Sequence, residues 1–150
     1  YDVKGKKYIS TPLKYYFTDL GLRNVLLNFR QYEETHLMEN AIYNELRLRG
    51  WNVDVGMVVV NSRNEQGTSE RKQLEIDFVC NKGSKRCYIQ SALSLPDREK
   101  MQQEINSLHR IDDSFQKIVV VGGNVKPWMD ENGILFLSVY DFMLNPESVS

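Results

Sequence analysis

The chain has 150 residues, of which 41% are hydrophobic and 26% charged, values typical of one soluble globular domain that is large enough for a core. The net charge of −1 argues against a protein that coats nucleic acid nonspecifically. No apolar run approaches the ~18 residues of a membrane span and no signal peptide is visible, so we expect a cytoplasmic protein without a membrane partner. Because Tyr1 stands where Met would start a protein, we expect a piece of a longer one.

The positive charge is concentrated at the start of the chain. Residues 1–30 carry a local net charge of +4, from Lys4, Lys6, Lys7, Lys14, Arg23 and Arg30 against Asp2 and Asp19. Such a basic edge can meet phosphate or an acidic partner domain, or it can simply be a solvated edge.

The first half of the chain predicts several elements in order. They are a small hairpin around residues 4–5, an extended piece at 14–17, a helix over 19–26 capped by Thr18 and Asp19, a helix from Thr35 to Arg49 that stops at Gly50, a strand over 51–61 and a polar loop over 62–72. The second half predicts a hairpin over 74–92, a helix over 94–111 with a capping box formed by Ser94 and Asp97, an apolar strand over 115–123, a turn at 131–133, a final strand and a last helix from Ser138. This order favours an α/β fold, a mixed sheet with helices on its faces.

The hairpin LEIDFVCNKGSKRCYIQSA is apolar but contains two polar groups that need an explanation. Alternation places Leu74, Ile76, Phe78 and Cys80 on one face, Glu75, Asp77 and Val79 on the other, and Tyr88, Gln90 and Ala92 together on the returning strand. Asp77 and Gln90 cost free energy when they are buried without partners. Cys80 and Cys87 lack the spacing of a zinc site, so we interpret them as structural thiols that face each other across the hairpin.

Glu39 is the second carboxylate of interest. A step of about 100° per residue places it in the apolar arc of the predicted helix, whereas Asn40, Asn44 and Arg47 are predicted on the solvated side. A carboxylate on a packing face should be hydrogen-bonded, paired with a cation or bound to a metal. Glu39 and Asp77 could therefore converge, either as polar anchors or as the start of a Mg²⁺ site that activates water.

Five stretches together resemble a known domain family: HLMENAIYNELRLRGWNVDVG, LEIDFV, CYIQSALSL, REKMQQEINSLHRIDDSFQKIVV and GILFLSVYDFML. The family is an uncharacterised one at the C-terminal end of bacterial and archaeal AAA+-type ATPases, and it resembles in turn the PD-(D/E)XK nuclease superfamily. KYYFTDLGLRN resembles the segment that follows a winged-helix linker in such proteins. The resemblance implies residues 1–30 as the tail of that linker and residues 31–150 as a restriction-endonuclease-like domain.

The same resemblance implies a degenerate active site. Glu39 matches the helical acid of the superfamily and Asp77 the strand aspartate, but Gln90 stands at the second acid and Ala92 at the lysine. Glu39, Asp77 and Gln90 remain as candidate metal ligands. Loss of one preorganised electrostatic group costs roughly 10²–10³ in rate. A cation from another element could compensate, and Arg98 and Lys100 open the second long helix, although the sequence gives no reason to aim either one into the site.

We therefore expect a non-catalytic accessory or regulatory domain of an ATPase, with no cofactor and without a confident catalytic residue. Its partner would be the ATPase part of its own chain or another protein, and the basic N-terminal segment and the 61–72 loop are candidate contact surfaces. Gly122-Gly123-Asn124 lacks the Lys-Ser/Thr of a Walker motif, so ATP binding would belong to the parent protein. The alternative is a nuclease dependent on Mg²⁺ or Mn²⁺, or a DNA-binding descendant of one that uses the basic residues between 4 and 30.

Overall fold

The structure is a computed structural model that describes residue 3 and residues 13–30, 33–63 and 69–149. Its elements are α1 (Leu20–Leu26), α2 (Glu34–Leu48), β1 (Asn52–Arg63), β2 (Ser69–Lys82), β3 (Lys85–Ala92), α3 (Arg98–His109), β4 (Gln116–Val121), β5 (Trp128–Met129), β6 (Ile134–Ser138) and α4 (Val139–Leu144), followed by a 3₁₀ turn, Pro146–Ser148.

One six-stranded mixed sheet organises these elements. The strand order is β1-β2-β3-β4-β6-β5, with β3, β4 and β6 parallel and the other neighbours antiparallel. The parallel step from β3 to β4 requires a crossover, which α3 provides. The predicted mixed α/β sheet with flanking helices is therefore confirmed.

The sheet has an apolar cluster on each face. One cluster contains Ile105 and Leu108 of α3, and the other contains Ile42 and Leu46 of α2 together with Phe142 of α4. The helices consequently form two layers, with α3 on one side of the sheet and α2 and α4 on the other.

The helix boundaries follow from local caps. Asp19 caps α1 by accepting a hydrogen bond from the Leu22 N–H at 2.8 Å, as predicted. α2 ends at Leu48 with Arg49 as its C-cap, and Gly50 follows with a φ of +81°, which favours glycine. The predicted capping box at Ser94 was wrong, because α3 begins only after Asp97, whose carboxylate caps the Lys100 N–H. No helix in the described ranges is both long enough and apolar enough to cross a membrane.

The strands differ from the prediction in two places. The polar loop expected over 62–72 is shorter, because β1 extends to Arg63 and β2 starts at Ser69; residues 64–68 lie outside the described residues, as does the hairpin predicted around residues 4–5. The sequence also did not predict β5, a two-residue strand at the sheet edge. Cys80 and Cys87 are free, buried and directly opposite each other, as expected.

A β-bulge in β2 breaks the predicted alternation of the hairpin. The register on either side of it pairs Asp54 with Val79 and Gly56 with Ile76. Between these pairs lies only Val55 on β1 but both Asp77 and Phe78 on β2. Bulges of this kind turn a side chain to a new direction and are frequent beside functional sites.

The bulge divides the predicted apolar row between the two faces of the sheet. Ile76 belongs to the cluster beneath α3, whereas Phe78 and Cys80 belong to the cluster beneath α2. The expectation that these three side chains share one face was therefore wrong. The bulge matters for the cleft because it lies at Asp77, whose carboxylate is turned towards α2.

Gly56, opposite the bulge, is buried where no side chain fits. A Cβ atom there would lie 2.6 Å from Cγ2 of Val79 and 3.1 Å from Cβ of Ile76. We predict that Gly56→Ala lowers the free energy of unfolding by about 1–3 kcal/mol through overpacking, as measured by urea denaturation. Asn52→Ala, at an exposed position of the same strand, is the control and should change it by less than about 0.5 kcal/mol. Equal effects of the two substitutions would contradict this packing argument.

Candidate functional site

The four residues that the sequence singled out meet at one cleft. Glu39 from α2, Asp77 from the bulge, and Gln90 and Ala92 from β3 all line a cavity of about 380 Å³. The N-terminal half of α2 and the first turns of α3 form its two walls. The convergence of Glu39 with Asp77 is therefore confirmed as geometry.

A lysine that the sequence did not single out lies between these carboxylates. The Lys14 Nζ atom is 2.9 Å from Oε1 of Glu39, 3.3 Å from Oδ1 of Asp77 and 2.5 Å from Oε1 of Glu75. Glu75, two residues before Asp77, is thus a third member of the cluster. A signal for Lys14 existed in the sequence, because it is a single cation in the extended stretch LKYYF.

The segment that carries Lys14 is an extended strap, residues 13–18, laid across α2. Tyr16 follows Lys14 on the same side of the strap, and its hydroxyl donates a hydrogen bond of 2.6 Å to Oε1 of Glu39. The Tyr16 ring stacks on Tyr43 of α2, with 4.2 Å between the ring centroids. The two inward-facing side chains of the strap, Lys14 and Tyr16, therefore both donate to the Glu39 carboxylate.

Asn40 holds the strap in register, and its predicted place on the solvated side of the helix was wrong. Its side chain accepts a hydrogen bond from the Phe17 N–H at 2.8 Å and donates one to the Phe17 carbonyl oxygen at 2.7 Å. Asn40 is buried because the strap covers it, which a helical projection of α2 alone cannot show. Asn44 adds a hydrogen bond to the same carbonyl oxygen at 2.9 Å.

The buried Asp77 carboxylate is under opposing influences. Burial raises its pKa to about 6, and the charge of Lys14 and the Ser91 N–H, which donates to Oδ2 at 2.8 Å, act in the opposite direction. The charge of Glu39 raises the pKa further. Burial is the larger influence, so Asp77 takes up a proton at a higher pH than an exposed aspartate does.

Lys14 and Tyr16 stay protonated in this environment. Burial lowers the pKa of Lys14, but its hydrogen bonds and attraction to Glu75, Asp77 and Glu39 outweigh burial and raise the pKa above its usual value. Burial raises the pKa of the Tyr16 hydroxyl, and its hydrogen bond to Glu39 raises it further. At neutral pH the site therefore contains an ammonium group and a hydroxyl donor.

The remaining positions provide little chemistry. The Gln90 Oε1 atom accepts a weak 3.4 Å hydrogen bond from the Asp77 backbone N–H, and Ala92 is buried in the apolar cluster beneath α3. Lys100 lines the cleft, but its Nζ atom lies 2.6 Å from Oε1 of Glu104. Arg98 lines a separate apolar cavity beside Trp128. The cation near Asp77 is therefore Lys14 and neither of the two considered from the sequence.

The candidate metal ligands fit a divalent ion poorly while Lys14 is in place. Oε1 of Glu39 already accepts from Lys14 and Tyr16, and both Asp77 oxygens accept hydrogen bonds. A divalent ion between the two carboxylates would stand beside an ammonium group of like charge. Within the described ranges, no three His, Cys, Asp or Glu side chains are arranged to hold a metal.

A search for similar proteins gives one informative relationship. The chain is 30% identical over 144 residues to an uncharacterized protein of Haemophilus influenzae, an alignment that covers 96% of this chain and 32% of that protein. The chain thus spans about a third of the length of this curated relative. No family model and no solved structure matches the chain.

The raised pKa of Asp77 predicts a pH dependence of stability. Its pKa in the folded state, about 6, lies above the 3.8 of an exposed aspartate, so the folded state binds this proton more tightly. The resulting stability is present below pH 4 and lost as pH rises through 6. Between pH 4 and 7 the wild type should lose about 1–3 kcal/mol relative to Asp77→Asn, measured by urea denaturation of both proteins. If the free energy of unfolding of the wild type, relative to that of Asp77→Asn, stays constant or increases with pH, Lys14 and the Ser91 N–H outweigh burial.

We predict that a substitution at Asn40 loosens the strap selectively. Asn40→Ala removes both hydrogen bonds to Phe17, so we expect a loss of about 1–3 kcal/mol and faster hydrogen exchange at the Phe17 amide. Asn44→Ala is the matched control, because Asn44 donates only to carbonyl oxygens and leaves that amide bonded. Amide exchange resolved by NMR measures both variants. Unchanged protection of Phe17 in Asn40→Ala would contradict the assigned role.

Proposed function

We propose that this chain is a non-catalytic accessory domain with a restriction-endonuclease-like fold, working in the cytoplasm as part of a AAA+-type ATPase. The observation that carries the proposal is the position of Lys14, whose ammonium group lies between the carboxylates that a nuclease of this type would use for a metal. Such a domain keeps the scaffold of a nuclease and has lost the conditions for hydrolysis.

The topology supports the nuclease-like part of the proposal. A helix bearing an acid precedes an antiparallel hairpin bearing the second acid, and α3 then crosses to a parallel strand. The two acids meet at a bulge beside the cleft. This is the arrangement expected from the PD-(D/E)XK resemblance, although a mixed sheet alone would fit other folds as well.

The chemistry of the cleft supports a non-catalytic role. Metal-dependent hydrolysis needs an ion that lowers the pKa of water and neutralises developing charge. Gln90 provides a neutral amide where a carboxylate would add charge, and Ala92 has no polar atom. Lys14 satisfies the two carboxylates that remain. Each of these features weakens metal binding, and together they favour a structural use of the cleft.

The apolar surface around the strap supports a partner within the same polypeptide. Seven of the 14 exposed large hydrophobic side chains of the described residues fall within 13–29: Leu13, Tyr15, Phe17, Leu22, Val25, Leu26 and Phe29. Such a concentration of exposed apolar side chains in one short segment favours a contact site there. The relative from H. influenzae is about three times as long as the matched segment, which favours another part of the longer chain as the partner.

A metal-dependent nuclease remains the second candidate, and one observation favours it. The ammonium that the superfamily takes from a strand is missing at Ala92, but Lys14 places one 3.3 Å from Asp77. In that case the strap would supply the missing group from another element, and the nucleic acid would approach over the N-terminal segment. Lys4, Lys6 and Lys7, which would assist, lie outside the described residues.

Incubation with DNA separates the two candidates. Purified protein with Mg²⁺ or Mn²⁺ should leave plasmid, junction and single-stranded DNA intact on an agarose gel. Cleavage that Asp77→Ala abolishes, while Asn52→Ala retains it, would establish the nuclease and overturn the accessory role. Salt-sensitive binding without cleavage would instead identify a DNA-binding descendant.

A further inference from the structure

We propose that Lys14 is a built-in counter-ion: the strap, instead of a divalent metal, neutralises the carboxylates of the cleft, so strap closure and metal binding exclude each other. This inference rests on the proposed non-catalytic function and deepens it. It identifies the Lys14 ammonium group as the cation that stands in place of the metal, and it predicts that opening the strap removes this cation.

The ammonium group of Lys14 lies at the centre of an acidic cluster. Three carboxylate oxygens, from Glu39, Glu75 and Asp77, lie within 3.3 Å of one nitrogen atom. They come from two elements, α2 and β2, and one of them is presented by the bulge. Without a cation, three carboxylates at this separation would repel one another strongly because the site is partly buried. A positive charge at the centre of the cluster therefore lowers the free-energy cost of keeping the three carboxylates ionised.

Glu75 distinguishes this cluster from the set of ligands that the sequence suggested. The predicted set was Glu39, Asp77 and Gln90, but the Gln90 Oε1 atom is directed to a backbone N–H. Glu75 occupies the side of the cluster nearest the solvent, and its carboxylate forms an ion pair with the Lys14 ammonium group. The charge that balances Lys14 therefore comes from three acids and not from two.

The strap is attached in a way that allows it to leave as a unit. Polar contacts from Lys14, Tyr16 and the backbone of Phe17 and Thr18 join it to α2 and β2. Its outward side chains are exposed, Leu13 by 76% and Tyr15 by 81%. Lifting it would break these contacts and would also withdraw the Tyr16 ring from Tyr43 and from the edge of the cluster beneath α2. The fully buried residues of both clusters belong to other segments, so the sheet would keep its core. The ammonium would leave with it, and the cluster would then need another cation.

Manganese binding tests the proposal directly, with Mn²⁺ alone as the probe. In titrations followed by isothermal calorimetry and by thermal unfolding, Lys14→Met should bind Mn²⁺ at least about tenfold more tightly than the wild type and should gain thermal stability from it. The double variant with Asp77→Asn should lose that gain. Lys100→Met is the matched control, because Lys100 lines the same cleft but pairs with Glu104, and it should behave as the wild type.

Two results would overturn the proposal. One is a folded Lys14→Met protein that binds Mn²⁺ no better than the wild type, and the other is a wild type that binds Mn²⁺ tightly through Asp77 with the strap closed. If Lys14→Met fails to fold, Asn40→Ala takes its place, since it loosens the strap and should also bind Mn²⁺ more tightly than the wild type. Mn²⁺ binding by the wild type without DNA cleavage would overturn this inference alone, whereas Asp77-dependent cleavage would overturn the proposed function.

Discussion

The arrangement of this cleft depends on one ion cluster, in which a single ammonium group satisfies carboxylates from a helix and from a strand. Glu39 and Asp77 are both largely buried, and a buried carboxylate without a partner is costly enough to change its protonation or to unfold the site. Lys14 offsets part of that cost for both, although burial remains the larger influence at Asp77. The same ion cluster therefore determines how α2 docks on the hairpin, where the strap lies and which charged groups the cleft contains.

Two local features make the cluster geometrically feasible. The bulge turns Asp77 towards α2 while Ile76 and Val79 stay in the cluster beneath α3, so the strand keeps its apolar packing on both faces. Asn40 fixes the strap by bonding both backbone groups of Phe17, which sets the register that directs Lys14 and Tyr16 inward. A bulge without the strap would leave an acidic cleft, and a strap without the bulge would lack the second carboxylate.

Periodicity and capping in the sequence predicted much of this fold. The helix from Thr35 to Arg49, the cap at Asp19 and the facing cysteines needed only local patterns, and the convergence of Glu39 with Asp77 followed from a carboxylate on a packing face. The bulge was not predictable because an inserted residue changes alternation without changing composition. Lys14 and Asn40 were missed for a different reason: their burial depends on a contact between segments 25 residues apart, which neither segment reveals alone.

The strap connects the cleft to the surface, and this connection bears on what an accessory domain can do. Its inward side chains, Lys14 and Tyr16, bond to Glu39, while its outward side chains and several apolar residues of α1 form exposed apolar surface. A partner that covers this surface gains affinity by burying apolar area only in the strap conformation that it fits. If it fits the closed strap, it also keeps the ammonium group in the cluster. On the proposed non-catalytic function, the cleft would in this way still respond, through the strap, to whether the partner is bound.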